Sequence, residues 1–401
     1  MKRSGSADLA LMGGSVPTWL FERMTKLSLA IVESIVTEYG QQEFLRRLSD
    51  PFWFQSFGAV IGMDWNSSGV TTTVMSALKK SLNPRSQELG IYVCGGKGKH
   101  SLQTPNELIT IGNRTGLDGN YLAQCSKLSA KVDNTAVQDG FQLYLHSFVV
   151  SDKGDWSVIQ QGMKTDTSTA RRYHWNSESI KSFVEEPHTA ICGENQGEIL
   201  NLVAKEAVVT QHAILAIAQE NPAKILKEIP FMKLPSYYGI KAKDVDLKRL
   251  GSILYLAQEN EIQKFEDLLL LGGLGPRTLQ SLTLVSEIIH GTPSRFTDPA
   301  RFAFAHGGKG GKPFPVPTRV YDETIATLKS SVEKAKLGET DKQGAIKKLT
   351  QMAQKAEQNF IPNENFEALL KKENDDAWKY GGRTNKGFST PPTNQQLDLF
   401  E

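Results

Sequence analysis

Residues 140–163 read GFQLYLHSFVVSDKGDWSVIQQGM and give the clearest indication of the fold class. Two runs of aromatic and β-branched residues flank the polar cluster SDKGD at residues 151–155. Runs of that composition favour extended strands, and the Ser, Asp and Gly between them favour a turn. The stretch therefore predicts a β-hairpin, and with it a sheet in the first half of the chain.

Further strands and helices are predicted around this hairpin. The short apolar runs GIYVCGG (residues 90–96) and HTAICG (residues 188–193) read as strands. Upstream, residues 19–49 carry apolar side chains at helical spacing, as two helices broken near Gly40, and residues 71–82 predict another helix. We expect residues 1–197 to form a mixed α+β domain that contains the β-hairpin and its sheet.

The pattern becomes helical from about Glu198. Residues 198–221 and 244–260 are amphipathic at helical spacing, and two more helices are predicted between Tyr321 and Lys372. After that, Asn, Gln, Thr, Pro and Gly dominate, and such a segment is too poor in apolar residues to fold alone. We therefore expect an all-α domain over residues 198–372 and a flexible tail over residues 373–401.

Net charge, cysteine spacing and the length of apolar runs limit the kinds of function that we expect for the chain. The net charge is only +2 over 401 residues, so any surface that binds nucleic acid has to be local. The three cysteines lie far apart without a CxxC pair, which argues against a disulfide framework and suits a reducing cytosol. No apolar run is long enough to span a bilayer. The expectation is a cytoplasmic, nucleoid-associated protein without a membrane partner.

Residues 265–289, FEDLLLLGGLGPRTLQSLTLVSEII, carry the pattern of two helices joined by a glycine turn. Gly273 and Gly275 would let the backbone approach a phosphate closely, and free N–H groups at the start of the second helix would donate to it. Arg277 adds a positive charge, and Thr278 can cap the helix or contact the DNA backbone. The segment, about 262–290, resembles the helix-hairpin-helix motif of DNA-repair proteins, which implies DNA as the partner. The alternative is a plain αα-hairpin.

Polar residues gather at the predicted strand ends of the first half. Carboxylates there can hold Mg²⁺ or Mn²⁺, and neighbouring Lys or Arg can stabilise phosphate charge, as in a metal-dependent nuclease. The catalytic candidates are Lys131, Asp133, Asp139 and His188, and the metal-ligand candidates are Asp133, Asp139 and Glu186. A local basic, DNA-binding surface is expected from Lys97, Lys99, Arg171 and Arg172. The alternative is that these residues are turn formers or a solvated rim.

Asp298 carries a second enzymatic hypothesis. DNA glycosylases of the helix-hairpin-helix class place a catalytic aspartate about twenty residues after the hairpin, and Asp298 in HGTPSRFTDPARF resembles it in position. The lysine that this class carries in its hairpin is absent here, with Arg277 nearest. The alternative is that Asp298 caps a short helix.

Several segments together resemble one protein family. They are MKRSGSADL, LSDPFWFQSFG, GIYVCGGKGKHS, KVDNTAVQDGFQLYLHSF, QQGM, ARRYHW, EPHTAI and FAHGGK. The chain resembles domain-of-unknown-function family 763 of archaea and bacteria over residues 1–372. The resemblance implies one conserved unit and supplies no activity.

Residues 396–400, QLDLF, carry a separate resemblance. They look like the peptide by which bacterial polymerases and repair factors bind the replicative sliding clamp. The resemblance implies polar contacts for Gln396 and an apolar cleft for Leu397, Leu399 and Phe400. The alternative is that these side chains dock on the protein's own surface.

Three functions therefore remain open for a clamp-tethered protein of replication-coupled DNA repair. The first is a metal-dependent nuclease, the second a DNA glycosylase, and the third a non-catalytic DNA-binding adaptor.

Overall fold

The computed structural model describes residues 16, 18–63, 69–164, 169–229, 246–300, 318–334, 344–347, 383–384 and 387–388. The helices are α1 (Thr18–Tyr39), α2 (Gln41–Ser49), α3 (Pro51–Ile61), α4 (Val70–Leu82), α5 (Ser86–Leu89), α6 (Thr104–Thr115), α7 (Gly119–Lys131), α8 (Val208–Gln219), α9 (Pro222–Glu228), α10 (Leu247–Glu259), α11 (Phe265–Leu270), α12 (Pro276–His290) and α13 (Thr318–Lys334). The strands are β1 (Ile91–Lys97), β2 (Val137–Gln138), β3 (Gln142–Ser151), β4 (Trp156–Lys164), β5 (Thr169–Asn176), β6 (Ala190–Cys192), β7 (Glu198–Asn201), β8 (Phe296–Thr297), β9 (Arg383–Thr384) and β10 (Gly387–Phe388).

The β-hairpin predicted from residues 140–163 is confirmed as β3 and β4. Val150 pairs with Trp156, and the turn between the strands is closed by a hydrogen bond from Ser151 N to Asp155 O. Gly154 adopts a φ of 91° in this turn, a conformation that glycine adopts at low cost. The two strands occupy the middle of a five-stranded antiparallel sheet with the order β1-β3-β4-β5-β6. The expected mixed α+β class is therefore confirmed.

Both faces of this sheet are covered by helices. Val149 and Ile159 point to one face and share a hydrophobic cluster with side chains of α1 to α4. Phe148 and Val158 point to the other face and belong to a cluster that includes α6, α7 and helices of the second half. Successive side chains of a strand alternate between faces, so covering both faces buries nearly every residue of the central strands.

The connection between the two halves differs from the helical pattern expected from Glu198. Residues Glu198–Asn201 form strand β7, and helix α8 begins only at Val208. β7 pairs with β2 on one side and with β8 on the other. A short apolar run does not distinguish a strand from a buried helix, and the pairing partners decide the outcome. One hydrophobic cluster also runs through both halves, and the domain boundary at residue 197 stays a prediction.

The described helices include none that is both long enough and apolar enough to cross a membrane.

Candidate functional site

The turn between α11 and α12 is the candidate nucleic-acid interface. Gly273 has a φ of 87°, which folds the chain back sharply. The next residue, Leu274, is buried at 2% exposure and anchors the turn in the core. Gly275 caps α12 in an extended conformation, and Pro276 occupies the first helical position. Gly273 itself is exposed, so the turn brings backbone to the surface.

Three side chains from other elements bind the carbonyl oxygens of this turn. Lys131 Nζ, at the end of α7, donates to the Leu274 carbonyl at 2.6 Å. Gln138 of β2 donates to the Pro276 carbonyl at 2.8 Å, and Arg249 of α10 donates to the Gly273 carbonyl at 3.4 Å. Burial lowers the pKa of Lys131 below its usual range. Side-chain donors of the protein therefore satisfy the carbonyl oxygens of Gly273, Leu274 and Pro276.

The positive ends of the turn remain available. The first N–H groups of a helix have no intrahelical acceptor. For Gly275, Arg277 and Thr278, no backbone acceptor occurs among the described residues. The Arg277 side chain is exposed beside them, whereas Thr278 is buried at 5% exposure. The arrangement offers backbone N–H groups and a guanidinium to an anion.

Asp133 forms a separate, buried site on the sheet. It lies in a π-helical turn, Val132–Ala136, directly after α7. Its side chain is 0% exposed and accepts hydrogen bonds from Gln160 Nε2 at 2.5 Å and Trp175 Nε1 at 3.0 Å. His188 Nε2 lies 2.5 Å from the remaining carboxylate oxygen. Burial raises the pKa of Asp133, and the contact with His188 opposes that shift.

The hydrogen bonds continue from Asp133 into the interior. Gln160 Oε1 lies 2.8 Å from His146 Nδ1, and His146 Nε2 lies 2.8 Å from Ser126 Oγ. Because Gln160 uses its amide nitrogen on Asp133, its oxygen can only accept, so His146 carries its proton on Nδ1. His146 Nε2 then accepts from the Ser126 hydroxyl. Burial lowers the pKa of His146 to about 4, so its ring is neutral at pH 7.

A second buried cluster joins Asp139 and Asp298 through one arginine. Arg171 donates to Asp139 at 2.8 Å and to both carboxylate oxygens of Asp298, at 3.0 and 2.7 Å. Tyr173 Oη donates to Asp139 at 2.7 Å. The side chains of Arg171 and both aspartates are 0% exposed. Asp298 also accepts from the N–H groups of Gln196 and Ala300, so it holds local backbone as well as Arg171.

The structure therefore brings together some of the predicted catalytic residues and separates others. Asp133 and His188 are 55 positions apart in sequence and meet directly. Asp139 pairs with Arg171, and Lys131 points to the αα-hairpin. Glu186 is exposed with a φ of 43°, and its N–H donates to the Val203 carbonyl.

These residues do not form a site that fits Mg²⁺ or Mn²⁺. A divalent cation of this kind needs several free oxygen ligands. Asp133 already accepts from three side chains, and Asp139 accepts from the guanidinium of Arg171. In the part of the chain that the structure describes, no three metal-ligating side chains come together.

The predicted basic residues divide between the interior and the surface. Arg171 and Arg172 are 0% exposed, and Arg172 lies on the opposite face of the sheet, against the Phe54 ring and the Gln55 amide. Burial of both side chains leaves neither available to DNA in this fold. Lys97 and Lys99 are exposed where β1 ends. The clamp-binding candidates Gln396, Leu397, Leu399 and Phe400 lie outside the described residues.

Sequence reasoning missed Arg249, Gln138 and Trp175. Arg249 is an exposed basic residue in the first turn of α10, and nothing in its local sequence connects it with a turn 24 positions away. Trp175 follows His174 in the segment ARRYHW, where alternation along a strand would have placed it on the same face as Tyr173.

The comparisons with known proteins give one family. The family model described as "Protein of unknown function (DUF763)" matches residues 5–316, and the chain belongs to this family. No curated protein and no solved structure matches it.

Proposed function

We propose that this DUF763 protein binds the phosphate backbone of DNA through the turn between α11 and α12, and that its C-terminal peptide tethers it to the replicative sliding clamp in DNA repair. The single observation that supports DNA binding is the polarity of the turn. Its carbonyl oxygens accept from Lys131, Gln138 and Arg249, while the first N–H groups of α12 have no acceptor among the described residues. Phosphate oxygens are acceptors and bind to such groups with help from the helix dipole.

Local charge supports the same partner. Arg277, Arg249 and Lys131 surround the turn, and Lys127 lies one helical turn before Lys131 on the exposed face of α7. The acidic residues of the two helices are Glu266 and Asp267, in the first turn of α11, and Glu287, in the last turn of α12. Contacts of this kind position a duplex without reading its sequence. We therefore expect binding that is salt-dependent and indifferent to base sequence.

The test is DNA binding by Gly275→Glu and Arg277→Ala. A β-carbon at Gly275 meets nothing closer than Arg249 at 4.0 Å, so the protein can fold with a side chain there. We expect Gly275→Glu to weaken binding of two unrelated 20-base-pair duplexes by about tenfold or more, because it blocks and repels the phosphate. Arg277→Ala should lower the slope of log affinity against log salt by about 1. Fluorescence anisotropy across a salt series measures both.

The matched control is Arg114→Ala. Arg114 is an exposed arginine in the last turn of α6. Gly112, two residues before Arg114, packs against Gly119 at the start of α7. The turn of the αα-hairpin contacts the other end of α7, through Lys131. Replacing Arg114 by alanine should leave both the DNA affinity and the salt slope unchanged. Normal DNA binding by a folded Gly275→Glu variant would show that the αα-hairpin is structural only.

A nuclease is the second candidate, favoured by the pairing of Asp133 with His188. The side chain of His188 is 7% exposed, and Asp133 binds its Nε2. An imidazole held in this way can act as a general base through Nδ1. Loss of DNA cleavage in His188→Gln, with folding intact, supports this role. Cleavage that needs Mg²⁺ or Mn²⁺, stops with EDTA and is lost in Asp139→Asn would support the metal-dependent form.

The remaining alternatives give different results in the same assays. Metal-independent formation of abasic sites that is lost in Asp298→Asn supports the glycosylase. DNA and clamp binding with no reaction on single-stranded, branched or damaged DNA supports the adaptor. Because Asp139 and Asp298 are buried with Arg171, each aspartate variant needs a parallel measurement of its unfolding free energy.

A further inference from the structure

We infer that the DNA contact continues from the αα-hairpin across one edge of the five-stranded sheet and takes a duplex of about seven base pairs or more. This inference rests on the proposed function. The edge consists of the end of β1, the start of β3 and the end of β4, which lie side by side because the strands are antiparallel. We call it the lysine edge, after Lys97, Lys99 and Lys164.

The lysine edge is continuous with the αα-hairpin. Gln138, which donates to the first carbonyl of α12, is two residues before Gly140. Gly140 is exposed with a φ of 87°, and a β-carbon there would lie 3.7 Å from Lys164 Nζ. Lys164 ends β4, one strand away from β3 and two strands away from β1. Among the described residues, Gln138 and Gly140 thus connect Pro276 to Lys164.

Strand geometry sets the length of this surface. Lys97 pairs with Leu145 and Leu145 pairs with Gln161, so Lys164 lies two strands across and three residues further along. At ~4.8 Å per strand and ~3.3 Å per residue, the two lysines are about 14 Å apart. The path from Pro276 through Gln138 to Lys164 adds roughly 10–15 Å. The whole track is roughly 25 Å long, which matches about seven base pairs at 3.4 Å each.

The described residues provide no ion pair for the lysines of the lysine edge. In the described part of the chain, Lys97 and Lys99 have no carboxylate partner, and Lys164 contacts only the neutral amide of Gln196, at 3.4 Å. By contrast, Lys79 is paired with Glu107. The nearby carboxylates of Asp139 and Asp298 are buried and bound to Arg171. The described carboxylates therefore oppose little of the positive charge that an acidic polymer would meet here.

The backbone at Gly98 is also left open by the described residues. Gly96 and Gly98 flank Lys97, both with φ in the left-handed region, and nothing lies within 4 Å of a β-carbon at Gly98. Lys97 Nζ lies 5.9 Å from the centre of the Tyr144 ring, which holds the charge over the surface of β3. Burial raises the pKa of Tyr144 to about 12, so this hydroxyl stays neutral and adds no negative charge.

The test compares duplex length for wild type and Lys97→Glu/Lys164→Glu. Fluorescein-labelled duplexes of 8, 16 and 30 base pairs are measured by anisotropy with the full-length protein. Because an 8-base-pair duplex already covers a track of about seven base pairs, wild-type affinity should rise from 8 to 30 base pairs only by the statistical increase in binding positions. The double variant should bind the 30-base-pair duplex about tenfold or more weakly and have a salt slope lower by about 2.

The control is Lys26→Glu/Lys153→Glu, which makes the same charge change elsewhere. Lys26 is exposed on α1, and Lys153 is exposed in the β3–β4 turn, at the opposite end of the strands. An equal loss of affinity in the two double variants would overturn the lysine edge, because it would reflect net charge alone. If Lys97→Glu/Lys164→Glu lowers the melting temperature, DNA binding is measured with Lys97→Gln/Lys164→Gln instead. We again expect its salt slope to be lower by about 2.

The failure of this inference is distinguishable from failure of the proposed function. If Gly275→Glu abolishes binding and the lysine-edge variant does not weaken it, the αα-hairpin binds DNA alone. If Gly275→Glu has no effect while the lysine-edge variant weakens binding, the proposed role of the αα-hairpin falls, and with it the continuous track inferred here.

Discussion

Three buried aspartates determine the chemistry of the interior. Asp133, Asp139 and Asp298 are each less than 5% exposed, and each accepts several hydrogen bonds. A carboxylate in such surroundings costs several kcal/mol of free energy unless donors replace the lost water. Arg171 supplies a positive charge to two of the three, and His188 contacts the third. Any catalytic role for these residues has to be separated from their role in stability.

We predict that Asp298→Asn lowers the free energy of unfolding by about 3 kcal/mol, because it removes one of two charges that compensate buried Arg171. The matched control is Glu220→Gln, which breaks the exposed pair with Lys224 and should cost less than about 1 kcal/mol. Urea unfolding measures both changes. Equal, small losses would show that Arg171 does not depend on Asp298.

From the lowered pKa of His146 we predict that the free energy of unfolding depends on pH. Its pKa is about 4 in the fold and about 6.5 when unfolded, so the unfolded chain binds more protons between these values. The stability contribution of this histidine is complete above pH 6.5 and falls as the pH drops towards 4. From pH 7 to pH 5 the loss is about 2 kcal/mol.

The comparison is with His146→Asn, which lacks this titration and should lose less stability over the same pH range. The raised pKa of Asp133 acts in the opposite direction in both proteins, so the difference between them reports His146. Titration by ¹H–¹⁵N NMR adds a second measurement: we expect the His146 ring to stay neutral at pH 5. A ring protonated at that pH would contradict the assigned hydrogen bonds.

At the scale of the element, the two glycines of the α11–α12 turn have different tasks. Gly273 has a φ of 87°, which other residues adopt only with strain. Gly275 has a φ of −129°, which any residue adopts, so conformation does not require glycine there. The close approach of another molecule would require it. The same substitution at both positions therefore separates folding from binding.

We predict that Gly273→Ser lowers the free energy of unfolding by about 1 kcal/mol, because it places a β-carbon in a left-handed conformation. Gly275→Ser should leave stability unchanged or raise it by a few tenths of a kcal/mol, since serine is a preferred N-cap. Its hydroxyl accepts from the N–H groups that phosphate would use, so DNA affinity should fall in a fully folded protein. Urea unfolding and anisotropy test the pair, and unchanged DNA affinity in Gly275→Ser would contradict the proposed interface.

At the scale of the whole molecule, the candidate DNA interface is assembled from distant parts of the chain. Lys131 and Gln138 reach the α11–α12 turn from 143 and 138 positions away in sequence. The cluster of Arg171, Asp139 and Asp298 joins β5 to the segment that follows α12 and β8. The turn is thus held by the first half of the chain, and isolating the second half would remove two of its three carbonyl partners.

The proposed clamp tether involves the whole molecule, because the C-terminal peptide would hold the DNA-binding part of the chain at the clamp. Leu399→Ala/Phe400→Ala should abolish binding to a bacterial sliding clamp in calorimetry, because both apolar anchors are lost, while DNA affinity stays intact. The control is Pro391→Ala/Pro392→Ala, a double change in the same tail that spares QLDLF. Unchanged clamp affinity in the leucine–phenylalanine variant would refute the tail assignment.

Several local elements can be predicted from short sequence patterns. Strands β3 and β4 follow from β-branched runs around SDKGD, and α11 and α12 follow from apolar periodicity around GGLGP. These signals lie within about 25 residues, where periodicity and turn chemistry act directly. The local pattern predicts helix over residues 198–201, but these residues form strand β7. They do so because they pair with β2 and β8, which are distant in sequence.

The contacts of the polar residues, by contrast, depend on the packing of distant segments. In sequence Arg171 and Arg172 are two basic residues at a strand end; in the fold the two faces of β5 place them on opposite sides of a covered sheet, and both are buried. Asp133 and His188 meet, while Glu186 stays exposed. The physical reason is that burial and pairing depend on which distant segments pack together, and local residue patterns carry no information about those distances.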